Sequence, residues 1–245
     1  MGDSFRGSAL LDQPMASQER AAKVAGVALL FSTALVAYAN FAIQSRLFVE
    51  GDVAQTAHNI VTHETSFRLV AVCYLFYSVG ILGLLTALYV ILRPVNQGLA
   101  FFAALSRFIY MITWVVIVLN FLGGLRLLSE GYLKVFEPSR LQALAKLYLT
   151  GWDAYYTGLL FWSLASTMCS WLWLKSRYVP RVLALLGFIA SVWCIGCTIA
   201  YLIFPNFANT VNLWWFDSPM AVFEIVLSFL LLFKGLRVQT PTQNQ

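Results

Sequence analysis

Six apolar runs, at residues 24–43, 69–92, 98–125, 154–174, 182–204 and 220–233, leave the chain few ways to fold. About 20 such residues in an α-helix cross the roughly 30 Å hydrocarbon core of a bilayer. Inside that core every backbone N–H and C=O needs an internal partner, so a spanning chain is either helical or a closed β-barrel. Barrel strands alternate apolar and polar residues, whereas these runs are continuous. The expectation is an all-α, polytopic membrane protein: a six-transmembrane-helix bundle at 24–237, with polar tails at 1–23 and 238–245. At 60% hydrophobic and 11% charged residues, the chain also lacks the polar surface a soluble globule needs. The sixth run is short unless its helix begins near Asp217.

The net charge of +5 does not point to nucleic acid, because the Lys and Arg residues stand singly or in threes at the ends of apolar runs. They read as topology determinants. Arg6, Arg20, Lys23, Arg93, Lys175, Arg177, Arg181, Lys234 and Arg237 fall on one side, and Arg46, Arg68, Arg126, Lys134, Arg140 and Lys146 on the other. Cytoplasmic flanks are the richer in Lys and Arg, so both termini are expected in the cytoplasm. The small residues Ala37 and Ala39 imitate a signal-peptidase site. The apolar run continues on both sides of them behind a long, partly acidic leader, so the first span is expected to be retained.

Between the runs, the turn RPVNQG at 93–98 is short and makes the second and third spans antiparallel neighbours. The connection at 44–66 carries Glu50, Asp52, His58, His63 and Glu64, with Thr62 or Thr65 as candidate caps for the next helix. In 126–150, Leu141, Leu144, Ala145 and Tyr148 share a helical face behind Pro138 and Ser139. That is the pattern of a short amphipathic helix at the interface before the fourth span, broken at Gly151. Trp152, Tyr155, Tyr156, Trp214 and Trp215 suit a membrane surface.

One residue is out of keeping with its run. Arg107 stands in the middle of 98–125, and an arginine at membrane depth costs about 2.5 to 3.5 kcal/mol on insertion scales, so it must face a partner, a cavity or water. Glu224 is its counterpart in the sixth run. At a rise of 1.5 Å per residue, Arg107, nine residues beyond Gly98, and Glu224, ten before Lys234, both lie about 14 to 15 Å from the same end of their helices. A guanidinium fork on a carboxylate is the least costly way to hold two such charges.

Arg68 and Asp153 lie near the opposite ends of their helices, in the half that also holds Asn40, His63, Glu64, Asn120 and Tyr155. This layering suggests a polar, outward-facing vestibule floored by Arg107 and Glu224. Its candidate ligand-binding residues are Arg68, Arg107, Asn120, Asp153, Tyr156 and Glu224. The same charges equally suit a structural role, fixing helix register by mutual satisfaction.

No metal or other cofactor is expected. His58 and His63 lie five apart before the second span and do not reach haem from opposite ends of a bundle; His63 and Glu64 with Asp153 lack any characteristic metal spacing. Cys73, Cys169, Cys194 and Cys197 all lie within apolar runs, so no disulfide framework is indicated. Cys194 and Cys197 spell C-x-x-C, but inside an apolar helix thiolate formation is disfavoured. Small residues packing helix on helix beside Gly196 account for them better. No Walker loop, dinucleotide fingerprint, HExxH or G-x-S-x-G elbow occurs.

Five segments together have a familiar order and spacing: ETSFRL at 64–69, LRPVNQGLAFFAALSRF at 92–108, LQALAKLYL at 141–149 before Asp153, SRYVPRVLALLGF at 176–188, and FEIVLSFLLLFKG at 223–235. Over about 21–237 the chain resembles the bacterial integral-membrane family catalogued as domain of unknown function 4386. The resemblance implies a six-span fold in a bacterial inner membrane and recurring polar residues at Arg68, Arg107, Asp153 and Glu224. It supplies no chemistry.

The function these residues favour is binding or passage of a small amphipathic or lipid-like molecule through the vestibule. A second class is an intramembrane enzyme acting on a lipid or isoprenoid, with Asp153 or Glu224 as general acid and Trp114, Tyr156 and Phe161 sheltering a cationic intermediate. A third is an accessory subunit packed against a larger membrane complex. The expected partners are the lipid bilayer, a lipid or isoprenoid ligand and another membrane protein, not nucleic acid.

Overall fold

The computed structural model describes residues 3–49, 51–129, 137–150, 153–204, 206–212 and 214–237. Lys134, Gly151, Trp152 and the tail at 238–245 lie outside these residues. Helices follow one another as α1 (Asp3–Ala37), a π-helical segment (Tyr38–Gln44), α2 (Ser45–Leu47), α3 (Val53–Thr62), α4 (Glu64–Leu92) and α5 (Gln97–Ser129). They continue as α6 (Pro138–Thr150), α7 (Asp153–Ser176), α8 (Arg181–Ile203), α9 (Phe207–Thr210) and α10 (Trp214–Phe233). Among the described residues there is no β-strand.

Among the described residues, five helical stretches are long and apolar enough to cross a membrane: Ala16–Leu47, Glu64–Leu92, Gln97–Ser129, Arg181–Ile203 and Trp214–Phe233. The other expected span, α7, is not among them, because it is the more polar helix. Its 24 residues extend about 36 Å, which is ample length. They bury Ser163, Ser166, Thr167 and Ser170, however. Part of that polarity is settled within the helix: Ser163 Oγ donates to the carbonyl of Leu159 and Thr167 Oγ1 to that of Ser163, each at 2.7 Å. Hydroxyls turned back on their own helix ask little of its neighbours.

Several boundaries differ from the sequence expectation. α1 begins at Asp3, well before the apolar run at 24. The connection at 44–66 contains α3, whose N-cap is Asp52, with Oδ1 accepting from the Gln55 amide at 2.8 Å. Neither Thr62 nor Thr65 caps the next helix: Thr62 ends α3 and Thr65 lies inside α4. Asn96 caps α5 through the Leu99 amide at 2.9 Å. α10 starts at Trp214 and contains Pro219, whose missing N–H leaves the Trp215 carbonyl without its helical donor. Trp193 of α8 donates its indole N–H to that carbonyl at 2.7 Å.

The chain divides into two compact units. One comprises Met1–Leu30, Leu82–Phe108 and Leu159–Gln245, the other Phe31–Ile81 and Ile109–Gly158. In the first, α1 meets α10 at Gly26, where an added Cβ would stand 2.9 Å from the Ser228 carbonyl oxygen and 3.0 Å from the Leu232 nitrogen. Only a residue without a side chain permits that approach. α8 packs Gly187 under the ring of Phe223 on α10.

The second unit has an aromatic core in which Trp114 meets Tyr77 at a centroid distance of 4.7 Å and Tyr74 at 4.9 Å, while Phe67 stacks on Phe121 at 5.3 Å. Each such pair is worth about 0.5 to 1.5 kcal/mol beyond area burial. The Tyr74 hydroxyl lies 2.5 Å from Asn40 Oδ1 and 2.9 Å from Gln44 Oε1, both on the π-helical segment. A phenol has one proton, so one of the two amides turns its NH₂ toward the phenol oxygen. α6 packs by Ala145 and Leu149, which are buried, and Leu149 closes on Gly124. Leu144 and Tyr148, of the same expected face, are exposed.

Candidate functional site

Arg107 of α5 and Glu224 of α10 lie in the same unit. Both are buried, and Nη2 of the guanidinium donates to Oε1 of the carboxylate at 2.8 Å. α7 completes the arrangement. Trp162 donates its indole N–H to the same Oε1 at 2.8 Å, and Ser166 lies 3.2 Å from both Oε1 and Arg107 Nη2. The serine hydroxyl accepts from the guanidinium and donates to the carboxylate, so it bridges the two charges. Trp162 and Ser166 are four apart and share a face of α7.

Three donors on one oxygen, one of them charged, offset the desolvation of the carboxylate. A void of about 10 Å³ adjoins Arg107 and Cys169, at the threshold for a single water. The pair is therefore closely enclosed on that side.

The other expected ligand residues, Arg68, Asn120, Asp153 and Tyr156, belong to the second unit. Arg68 pairs at 2.7 Å with Glu64, one turn earlier on α4, and both are solvent-facing. An exposed i,i+4 pair of this kind contributes about 0.3 to 0.5 kcal/mol. Asp153 is exposed in the first turn of α7, where a carboxylate favours the helix N-terminus. Tyr156 packs edge-on against Tyr155, which itself packs against Trp114. Asn120 is half-buried. Among the described residues no group of three His, Cys, Asp or Glu side chains converges on a metal position. His63 turns its Nδ1 to the Asn59 carbonyl at 3.1 Å.

All four cysteines are free and buried. Gly196, between Cys194 and Cys197, has nothing within 4 Å of an added Cβ. The two cysteines pack inward on their own account.

A feature the sequence did not announce lies in the second unit. The turn after α2, the first turns of α3 and one face of α6 enclose a cavity of about 300 Å³. Phe48, Val53, Ala57 and Leu149 supply apolar wall, and Asp52, Thr56, Gln142 and Lys146 supply polar groups. Its lining includes none of Arg68, Asn120, Asp153 and Tyr156. No sequence signal pointed to it, because Phe48, Gln142 and Lys146 come from segments far apart in the chain.

These features define an all-helical, polytopic membrane protein with a buried ion pair knitted by α7 and a separate amphipathic cavity. A family model described as Domain of unknown function (DUF4386) matches residues 24–235, and the chain belongs to that family. No curated protein and no solved structure matches the chain.

Proposed function

We propose that the protein binds a small amphipathic or lipid-like molecule in the cavity between α3 and α6. The observation that supports this is the make-up of the cavity. About 300 Å³ is the lower end of the range that small-molecule sites occupy, and apolar walls with a few polar groups are their usual lining. In this reading Gln142 and Lys146 take over the ligand contact first expected of Arg68, Asn120, Asp153 and Tyr156. Arg107 and Glu224 anchor the helices of their own unit.

The same reading keeps both termini in the cytoplasm of a bacterial inner membrane and the cavity on the outer side. Its support is the excess of Lys and Arg on one set of flanks. α7 has the length to serve as a sixth crossing, which an even count requires.

Native mass spectrometry of the protein purified in mild detergent, wild type beside Gln142→Trp, tests the proposal. An indole at position 142 fills the cavity from its half-exposed edge. A defined amphipathic mass retained by the wild type and absent from the variant supports the assignment. Identical retained masses in both would sink it.

A further inference from the structure

The turn between α7 and α8 and the end of α10 gather five cations at one place in the first unit. Lys175 and Arg177 stand at the end of α7, Arg181 opens α8, and Lys234 and Arg237 follow α10. The Arg237 amide donates to the Tyr178 carbonyl at 2.9 Å, which fastens the two segments together. All five residues are exposed. No Asp or Glu occurs at 154–216 or 225–245, and among the described residues none of the five side chains pairs with a carboxylate. α1, which meets α10 at Gly26, carries Arg6, Arg20 and Lys23 with Asp3, Asp12 and Glu19 and so leaves the excess unchanged.

Topology alone asks only for positive charge in a turn, whatever the backbone conformation. Arg177 is more particular. Its φ of 58° is left-handed, where Cβ crowds the following carbonyl and glycine is the usual residue. α10 ends with that residue, Gly235 at φ 66°. At the end of α7 an arginine holds the conformation, its amide on the Trp173 carbonyl at 2.9 Å. Strain that a glycine would relieve is kept along with the guanidinium, which is the pattern of a functional position.

Apolar surface adjoins these charges. Val182 and Phe233, next in sequence to Arg181 and Lys234, are 71% and 76% exposed, on two helices that pack together where Gly187 lies under Phe223. We infer that this basic end of the first unit binds an anionic phospholipid, its phosphodiester among the five cations and its acyl chains along Val182 and Phe233. Clusters of about four to eight Lys and Arg at the end of a transmembrane helix recognise such headgroups, each cation being worth about 5-fold in binding. Arginine forks take phosphate oxygens two at a time. The site shares no residue with the cavity between α3 and α6.

The test places the full chain in nanodiscs of phosphatidylcholine and phosphatidylglycerol in equal parts, releases it into mild detergent and identifies the retained lipids by native mass spectrometry. Phosphatidylglycerol is expected to be retained over phosphatidylcholine. Arg177→Gly should lower that preference about 5-fold, and Arg181→Gln with Lys234→Gln about 25-fold. In pure phosphatidylcholine, Arg177→Gly should unfold at an equal or higher temperature, because glycine relieves the left-handed turn. A loss of lipid preference without a loss of stability is not what a merely structural arginine gives. Arg46→Gln, which removes an exposed cation from the opposite set of flanks, should leave the preference unchanged.

An absence of preference in the wild type, or one that the Arg177, Arg181 and Lys234 variants leave intact, overturns the site. An equal loss in Arg46→Gln reduces the effect to net charge and overturns it as well. A lower unfolding temperature for Arg177→Gly assigns the arginine to the turn itself. Displacement of the lipid by excess glycerol 3-phosphate would make a soluble phosphate the ligand and end the lipid assignment.

Discussion

Trp162 donates its indole N–H to the same carboxylate oxygen of Glu224 that Arg107 holds, and the two donors stand at the same 2.8 Å separation. A tryptophan so placed is part of the charge compensation, not simply packing volume. Trp162→Phe keeps most of the ring and removes the donor. It is expected to lower stability by about 1 to 2 kcal/mol, the range for a hydrogen bond to a charged group among helices. Thermal unfolding in detergent reads the change, and an unaltered midpoint would show that the indole contributes packing alone.

Removing one partner of the ion pair should cost more than removing both. Arg107→Leu leaves a carboxylate buried without its cation, a loss of about 3 to 5 kcal/mol. Arg107→Leu combined with Glu224→Leu removes the uncompensated charge as well and should recover most of that loss. A double-mutant cycle on unfolding midpoints measures the coupling. Additive effects of the two substitutions would contradict the geometry.

Two glycines in the apolar helices predict opposite outcomes for the same substitution. Gly26→Ala drives a methyl group into the α10 backbone at Ser228 and Leu232 and should destabilise by about 1 to 3 kcal/mol. Gly196→Ala meets nothing and should be neutral or stabilising by up to about 1 kcal/mol, through helix propensity alone. Paired melting curves in one detergent make the comparison.

Pro219 and Trp193 should behave as a coupled pair. With proline in α10 the Trp215 carbonyl depends on the Trp193 indole, so Trp193→Phe should cost about 1 to 2 kcal/mol. In a Pro219→Ala background the helix supplies its own donor and the same change should cost far less. Equal costs in both backgrounds would refute the dependence.

A charge inside an apolar run is rare enough, and helix rise regular enough, for sequence to single out Arg107 and Glu224 and to set them at one depth. Trp162 and Ser166 escaped notice because neither residue is unusual in a membrane helix. Their polarity acquires meaning only beside a carboxylate supplied from more than fifty residues away. The one available signal was that their run is the least apolar of the six. α3 was concealed by its ten-residue length inside a polar connection. The cavity was concealed because volume arises where segments meet, and no periodicity records that.

The composition of α7 bears on how the molecule is made. A segment inserts on its own when its summed transfer energy favours lipid, and serines and threonines spend that advantage. The five most apolar helices have that advantage in fuller measure than α7. The helix that supplies Trp162 and Ser166 to the carboxylate is thus the one whose own composition favours lipid least, and the polarity that serves the ion pair is drawn from the helix's margin for crossing the bilayer.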